Sequence, residues 1–186
     1  MRTLFLVASL GLFVACSKPE PLPKYWSIPH FTLIDREGKP FDSDSLRGSV
    51  WVADFFFATC PGACPMLSAR MSGLHQQFAG EDGVRFVSIT TDPAHDTPPL
   101  LQEYAAHFKA DARWIFLTGD KAGIWQLSRD GFKLAVADAP GEREIIAHST
   151  RLVLIDKNGQ TRGFYDGIAD DKPNKIAEDI RRLLAE

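Results

Sequence analysis

The sequence predicts a single α/β domain, a central mixed sheet flanked by helices with an N-terminal β-hairpin extension. Three observations carry that prediction. Short apolar runs alternate with segments of helical period, in the order strand–helix–strand–helix–strand–helix, then a hairpin and a last helix. The composition is ordinary for a globular protein, 45% hydrophobic and 24% charged over 186 residues, enough for one core. The most apolar run, Val50 to Phe57, has Asp54 as its sole charge and stops just before two cysteines, Cys60 and Cys64. Net charge is −3 and the pI about 6.0. No basic stripe is present, so the sequence offers nothing to a nucleic acid.

The first residues read as an export signal. Met1-Arg2 is a short positive start, and Leu4 to Val14 is uncharged and too short to cross a bilayer as a helix. Phe13-Val14-Ala15-Cys16 resembles the lipobox of bacterial lipoproteins, with Phe13 where leucine is usual. The resemblance implies a signal peptide over 1–15 and acylation of Cys16. A Pro-rich tether over 16–28 and a domain over 29–186 would follow. Ser17 in place of aspartate implies no inner-membrane retention signal. With Cys16 lipidated, Cys60 and Cys64 are left as a pair in an oxidising compartment, the cell envelope facing the periplasm.

The elements follow in order. Phe31 to Asp35 alternates, Arg36 to Lys39 turns and Phe41 returns, which predicts the hairpin. Ser43 to Gly48 leads into the strand Val50–Phe57. Leu67, Met71, Leu74 and Phe78 recur at helical spacing in the segment from Met66, which stops near Gly80. Val84 to Ile89 is a strand. Thr97 precedes Pro98, a cap and first-position proline for a helix to about Phe108. Trp114 to Thr118 is a strand, and Asp120 caps a helix over Lys121–Ser128. A weaker strand spans Phe132 to Ala137, followed by a polar loop from Asp138 to Glu144. Two strands, Ser149 to Ile155 and Thr161 to Tyr165, flank the turn Asp156-Lys157-Asn158-Gly159. Pro173 to Ala185 is an amphipathic helix with Ile176, Ile180, Leu183 and Leu184 on one side.

The cysteine pair after an early strand makes the fold thioredoxin-like. Where a strand gives way to a helix, free N–H groups and the helix dipole favour thiolate, the form that attacks disulfides and binds metals. A helix starting near Pro61 would put Cys60 and Cys64 on one face, able to close a disulfide or clasp a soft metal ion. Two plainer readings compete, a structural disulfide and a pair of buried, inert thiols. Of the five histidines, His30, His75, His95 and His107 read as solvated or locally satisfied. His148 differs, because it ends a loop directly before an apolar strand.

Three stretches together resemble the Sco/SenC family. They are Phe57-Ala58-Thr59-Cys60-Pro61-Gly62-Ala63-Cys64-Pro65, Thr91-Asp92-Pro93-Ala94-His95-Asp96-Thr97-Pro98, and His148-Ser149 before a strand that ends at Asp156-Lys157-Asn158-Gly159. The resemblance runs from about Pro29 to Leu184. It implies a membrane-tethered carrier that holds one copper ion, Cu(I) or Cu(II), and helps build the dinuclear copper site of cytochrome c oxidase subunit II. It also implies the ligands Cys60, Cys64 and His148. Asp92 is then the carboxylate placed to orient His148, and the bland alternative is an Asx-turn before Pro93. Asp96 reads as a turn or cap residue. The chain departs from the family at Ala147, where an acidic residue is usual, and in the loop Pro61-Gly62-Ala63, which lacks an aspartate. Both changes remove negative charge from the site and weaken the expectation for Cu(II) more than for Cu(I). The competing function is a thiol–disulfide oxidoreductase in which Cys60 attacks and Cys64 resolves, without His148. A peroxidase using Arg70 is weaker. Another periplasmic copper carrier or a thiol reductant would serve as partner.

Overall fold

The computed structural model describes residues 20–60, 62–138, 146–168 and 174–186. The strands are β1 (Thr32–Asp35), β2 (Pro40–Asp42), β3 (Val50–Phe56), β4 (Val84–Thr90), β5 (Trp114–Thr118), β6 (Val136–Asp138), β7 (Ile146–His148), β8 (Arg151–Ile155) and β9 (Thr161–Asp166). The helices are α1 (Cys64–Gln77), α2 (Pro98–His107), α3 (Lys121–Gln126) and α4 (Lys175–Leu184). One mixed sheet runs β2-β1-β5-β4-β3-β8-β9, and β6 and β7 form a separate ribbon. The fold class is the one predicted, a mixed sheet flanked by helices. The N-terminal hairpin is the sheet's own edge, because β1 pairs antiparallel with β5.

β3 is central because every one of its residues is buried. Side chains alternate across a strand, so its two faces feed two cores. Val50, Val52 and Phe56 join Leu67 and Met71 of α1, Leu101 of α2 and Ile176 and Ile180 of α4. Trp51, Ala53 and Phe55 join Ile124 of α3, Leu127 and Phe132. Strands β3, β4 and β5 run parallel, and α1 and α2 pack on the same face, with Leu67 and Leu101 in one buried cluster. Truncating a ring such as Phe56 to alanine would cost about 3–5 kcal/mol.

Several boundaries differ from those the sequence predicts. α1 begins at Cys64, with Ala63 in the cap position and Pro65 in its first turn. Thr97 sits at the N-terminus of α2 but its hydroxyl makes no cap bond, whereas Asp120 caps α3 by accepting from the Gly123 amide at 2.8 Å. After Gln126 the helix widens into a π turn, Leu127–Gly131, closed by the Phe132 amide on the Leu127 carbonyl. The strand expected from Phe132 starts only at Val136. Lys133 takes a left-handed φ of 57°, which breaks extension, and Phe132 turns inward against Trp51 and Phe55.

The packed chain begins before Pro29. Leu22 is buried, and the Leu22 and Pro23 carbonyls accept from the buried Arg162 guanidinium at 3.0 Å each. Ser27 bridges to Gln160, and the Trp26 indole donates to the Gly131 carbonyl at 2.7 Å. The expected signal peptide and Cys16 lie outside the described residues. No helix among the described residues is long and apolar enough to cross a membrane.

Candidate metal centre

β3 and β4 end side by side, at the pair Phe56 and Thr90. Beyond that pair the two loops are hydrogen-bonded to each other. The Thr91 amide and hydroxyl both donate to the Phe56 carbonyl, at 2.7 and 3.1 Å. Asp96, wholly buried, accepts at one carboxylate oxygen from the Ala58 amide at 3.0 Å and from the Thr90 hydroxyl at 2.5 Å. Its other oxygen has no hydrogen-bond partner among the described residues. Burial raises the Asp96 carboxyl, against the pull of those two bonds. The Thr90 oxygen in turn accepts from the Asp92 amide at 3.0 Å. Asp96 is therefore more than the turn or cap residue its sequence context suggests.

The chain leaves β3 as Phe57-Ala58-Thr59 and turns at Cys60, whose amide donates to the Phe57 carbonyl at 3.3 Å. Cys60 precedes α1, so the two cysteines do not share a helix face. They meet instead across the turn, as thiols that hydrogen-bond to each other. Both are buried and belong to the apolar cluster under α1, with Cys60 5% exposed and Cys64 0%. The exposed attacking thiol expected at Cys60 is thus nearly covered. Nor does the helix terminus make Cys64 a thiolate. Desolvation pushes its thiol well up, the bond to Cys60 pushes the same way, and the Phe57 backbone opposes them. A helix dipole supplies about 0.3–1 kcal/mol at the surface. Burial shifts a group by up to about 3–5 pKa units, several times more, and wins.

His148 is the last residue of β7. Its backbone lies opposite Val136, and Ala147 lies opposite Ala137. Val136 belongs to the same buried cluster as both cysteines, so the ribbon reaches the core that holds the thiols. The His148 side chain lies outside the described residues, as do Pro61 and most of the loop from Asp138 to Glu144. Asp92 is buried beside Thr91, and its carboxylate bonds the His95 Nδ1 at 2.7 Å. The described partner of Asp92 is therefore His95, and the expected bond to His148 falls on a side chain not described. Of the other histidines, His75 is buried rather than solvated and bonds Asp111 at 2.8 Å.

Two residues near the site carry no motif signal. Trp125 of α3 donates its indole N–H to the Thr91 carbonyl at 2.8 Å, one residue from Asp92. Asp54 lies in β3 directly opposite Ser88, whose hydroxyl donates to it at 2.6 Å while accepting from the Trp114 indole at 2.9 Å. Its second oxygen is unpartnered among the described residues, and burial raises its carboxyl to about 7. A single charge inside an apolar strand was the sign that could have found it. A groove of about 960 Å³ between the segment Trp26–Ile34 and α3 lies away from the cysteines. A metal ion gripped by side chains needs no such volume, so the thiol pair is the better candidate.

The chain matches the SCO1/SenC family over residues 20–185. A Stutzerimonas stutzeri protein named as a candidate copper-binding protein is 32% identical over 145 residues, covering 76% of this chain and 70% of that protein. A SCO1/SenC family lipoprotein from Bacillus anthracis has a similar structure. It is 36% identical, with a TM-score of 0.79 and coverage of 87% of this chain and 96% of that one. BsSco, described as a member of the Sco family of cytochrome c oxidase assembly proteins and as having a disulfide switch, is 29% identical. Its TM-score is 0.76, and the match covers 88% of this chain and 96% of that one. A family match spanning nearly all of the described chain agrees with the thiol pair at the end of β3, and the protein belongs to the SCO1/SenC family.

Proposed function

We propose that this protein is a copper chaperone of cytochrome c oxidase assembly that carries one ion on Cys60, Cys64 and His148. The observation that supports it is the pair of thiols close enough to share a hydrogen bond. Thiolates are soft donors that select Cu(I), and an added imidazole suits Cu(II) as well. The donor set therefore fits copper. Because burial holds the proton on Cys64, the arriving ion must displace it, and loading releases protons. Copper affinity should accordingly fall as pH is lowered. A neutral His148, supplied by the β6–β7 ribbon, completes the donor set.

In this reading the ion is cargo for the dinuclear copper site of oxidase subunit II. The protein hangs from an envelope membrane by lipid on Cys16 and faces the periplasm. BsSco's link to oxidase assembly and the copper-binding name of the Stutzerimonas relative support the assignment. A second reading has the thiol pair reduce the target's cysteines before metal transfer, and the hydrogen bond between the two sulfurs favours it.

Anaerobic Cu(I) titration of the metal-free protein tests the first reading. One equivalent should bind, and His148→Ala should lose the charge-transfer absorption of the Cu(II) form. Absence of Cu(I) binding by the reduced wild type would sink it. Reduction of an oxidised subunit II fragment by the His148→Ala protein would favour the second.

A further inference from the structure

The two cysteines are held by different means. Cys64 is the first residue of α1 and wholly buried in the core, so the helix fixes it. Cys60 belongs to no element. In its turn the Cys60 amide donates to the Phe57 carbonyl at 3.3 Å. Two residues before it, the Ala58 amide is taken by a carboxylate from 38 residues further along the chain, Asp96. That same oxygen accepts the Thr90 hydroxyl, which ties it to the end of β4. The carboxylate lies wholly inside the protein, and its second oxygen is without a hydrogen-bond partner among the described residues. Asp92 and His95 are the charged or titratable groups nearest to it on its own loop, and Tyr104 of α2 faces it from the helix.

A buried carboxylate with one idle oxygen is costly unless its bonds accomplish something. A cap or turn role would not require it, because α2 starts at Pro98 and Asp96 bonds no amide of that helix. What the Asp96 side chain grips is the strand exit that carries Cys60. We propose that Asp96 is a positioning residue, which sets the Cys60 turn against the fixed Cys64 through the Ala58 amide and the Thr90 hydroxyl. It touches neither sulfur nor metal. Its effect is on how often the two sulfurs meet, which is an effective concentration. The inference rests on the dithiol reading of the site and extends it to a residue outside the donor set.

Disulfide exchange measures that quantity without copper. The reduced, metal-free protein is equilibrated with glutathione. Cys60 and Cys64 together give two electrons and two protons to one oxidised glutathione, forming one protein S–S bond and two reduced glutathiones. The equilibrium constant is the effective concentration of the thiols. Asp96→Asn keeps the shape but replaces two charge-assisted bonds with neutral ones of roughly half the strength. It also buries an amide N–H₂ where the idle oxygen sat. The constant should fall about tenfold, which is about 30 mV toward easier reduction. Thr90→Val should move it the same way, and Thr90→Ser, which keeps the hydroxyl, should restore it. Melting temperature is followed in parallel.

A lowered melting temperature with an unchanged constant would make Asp96 a stability residue and overturn the proposal. If Asp96→Asn does not fold, the Thr90 pair decides, and equal constants for Thr90→Val and Thr90→Ser overturn it. Cu(I) competition against a chelator adds a test of sign. Loss of positioning weakens copper binding, and Thr90→Val removes the Asp96 bond without changing any charge, so unchanged or tighter Cu(I) binding in Thr90→Val also overturns the proposal. Wild type that exchanges disulfide normally but binds no Cu(I) refutes the copper assignment alone, and the glutathione result on Asp96 still stands.

Discussion

The candidate donors come from two unlike regions. Cys60 and Cys64 sit at the end of β3, in a sheet whose faces are covered by helices and whose loops are bonded to each other through Thr91 and Asp96. His148 sits on a ribbon of two three-residue strands that stands apart from the main sheet. A two-stranded ribbon is marginal by itself and depends on what it packs against, here Val136 in the cysteine cluster. The difference suggests a division of labour. In the proposed site the thiols are the standing donors, and the His148 imidazole would be added by an element that can be rearranged at less cost. A carrier that must release its ion is served by such an arrangement, because removing one donor need not disturb the core.

The comparison can be broken most severely at the thiols. Cys60→Ser or Cys64→Ser should abolish Cu(I) binding in anaerobic titration while the far-ultraviolet circular dichroism is kept. A smaller effect separates the two regions. His148→Ala should lose the Cu(II) absorption band yet keep one equivalent of Cu(I), and simultaneous loss of both forms would mean that the ribbon is as essential as the core.

Asp54 sharpens the picture from within the sheet. Burial raises its carboxyl from the ordinary 3.8 to about 7. Below pH 4 the carboxyl is protonated in folded and unfolded chains alike. Between about 4 and 7 the unfolded chain loses that proton while the folded one keeps it, so stability present in acid is lost as pH rises, and the loss levels off above 7. The size is up to about 4 kcal/mol at about 1.4 kcal/mol per unit. Asp54→Asn should flatten this part of the profile in urea unfolding and leave the variant more stable above pH 7. An unchanged slope would show that Asp54 is ionised in the folded protein.

The mildest change is a control at the cap of α3. Asp120→Ala should cost about 1 kcal/mol of stability through the lost bond to the Gly123 amide. Copper titration should not register it, and a shifted copper affinity would show that α3 communicates with the site through Trp125.

Much of this molecule was legible from residue order. The apolar run into Cys60, the period of α1, the Asp120 cap and the turn at Asp156 each depend on neighbours a few residues away, and local sterics and hydrophobic period express themselves in order along the chain. The cysteine spacing and the loop after β4 carried the family. The sequence could not say that the helix starts at Cys64, that Cys64 stays protonated, or that Asp92 bonds His95. Nor could it say that Asp96 reaches back to Ala58, or that the supposed tether packs down from Leu22. Those outcomes depend on burial and on partners brought from tens of residues away. Desolvation, and the choice of which buried polar group meets which, come into being only when the strands lie side by side, and so only the tertiary structure could decide them.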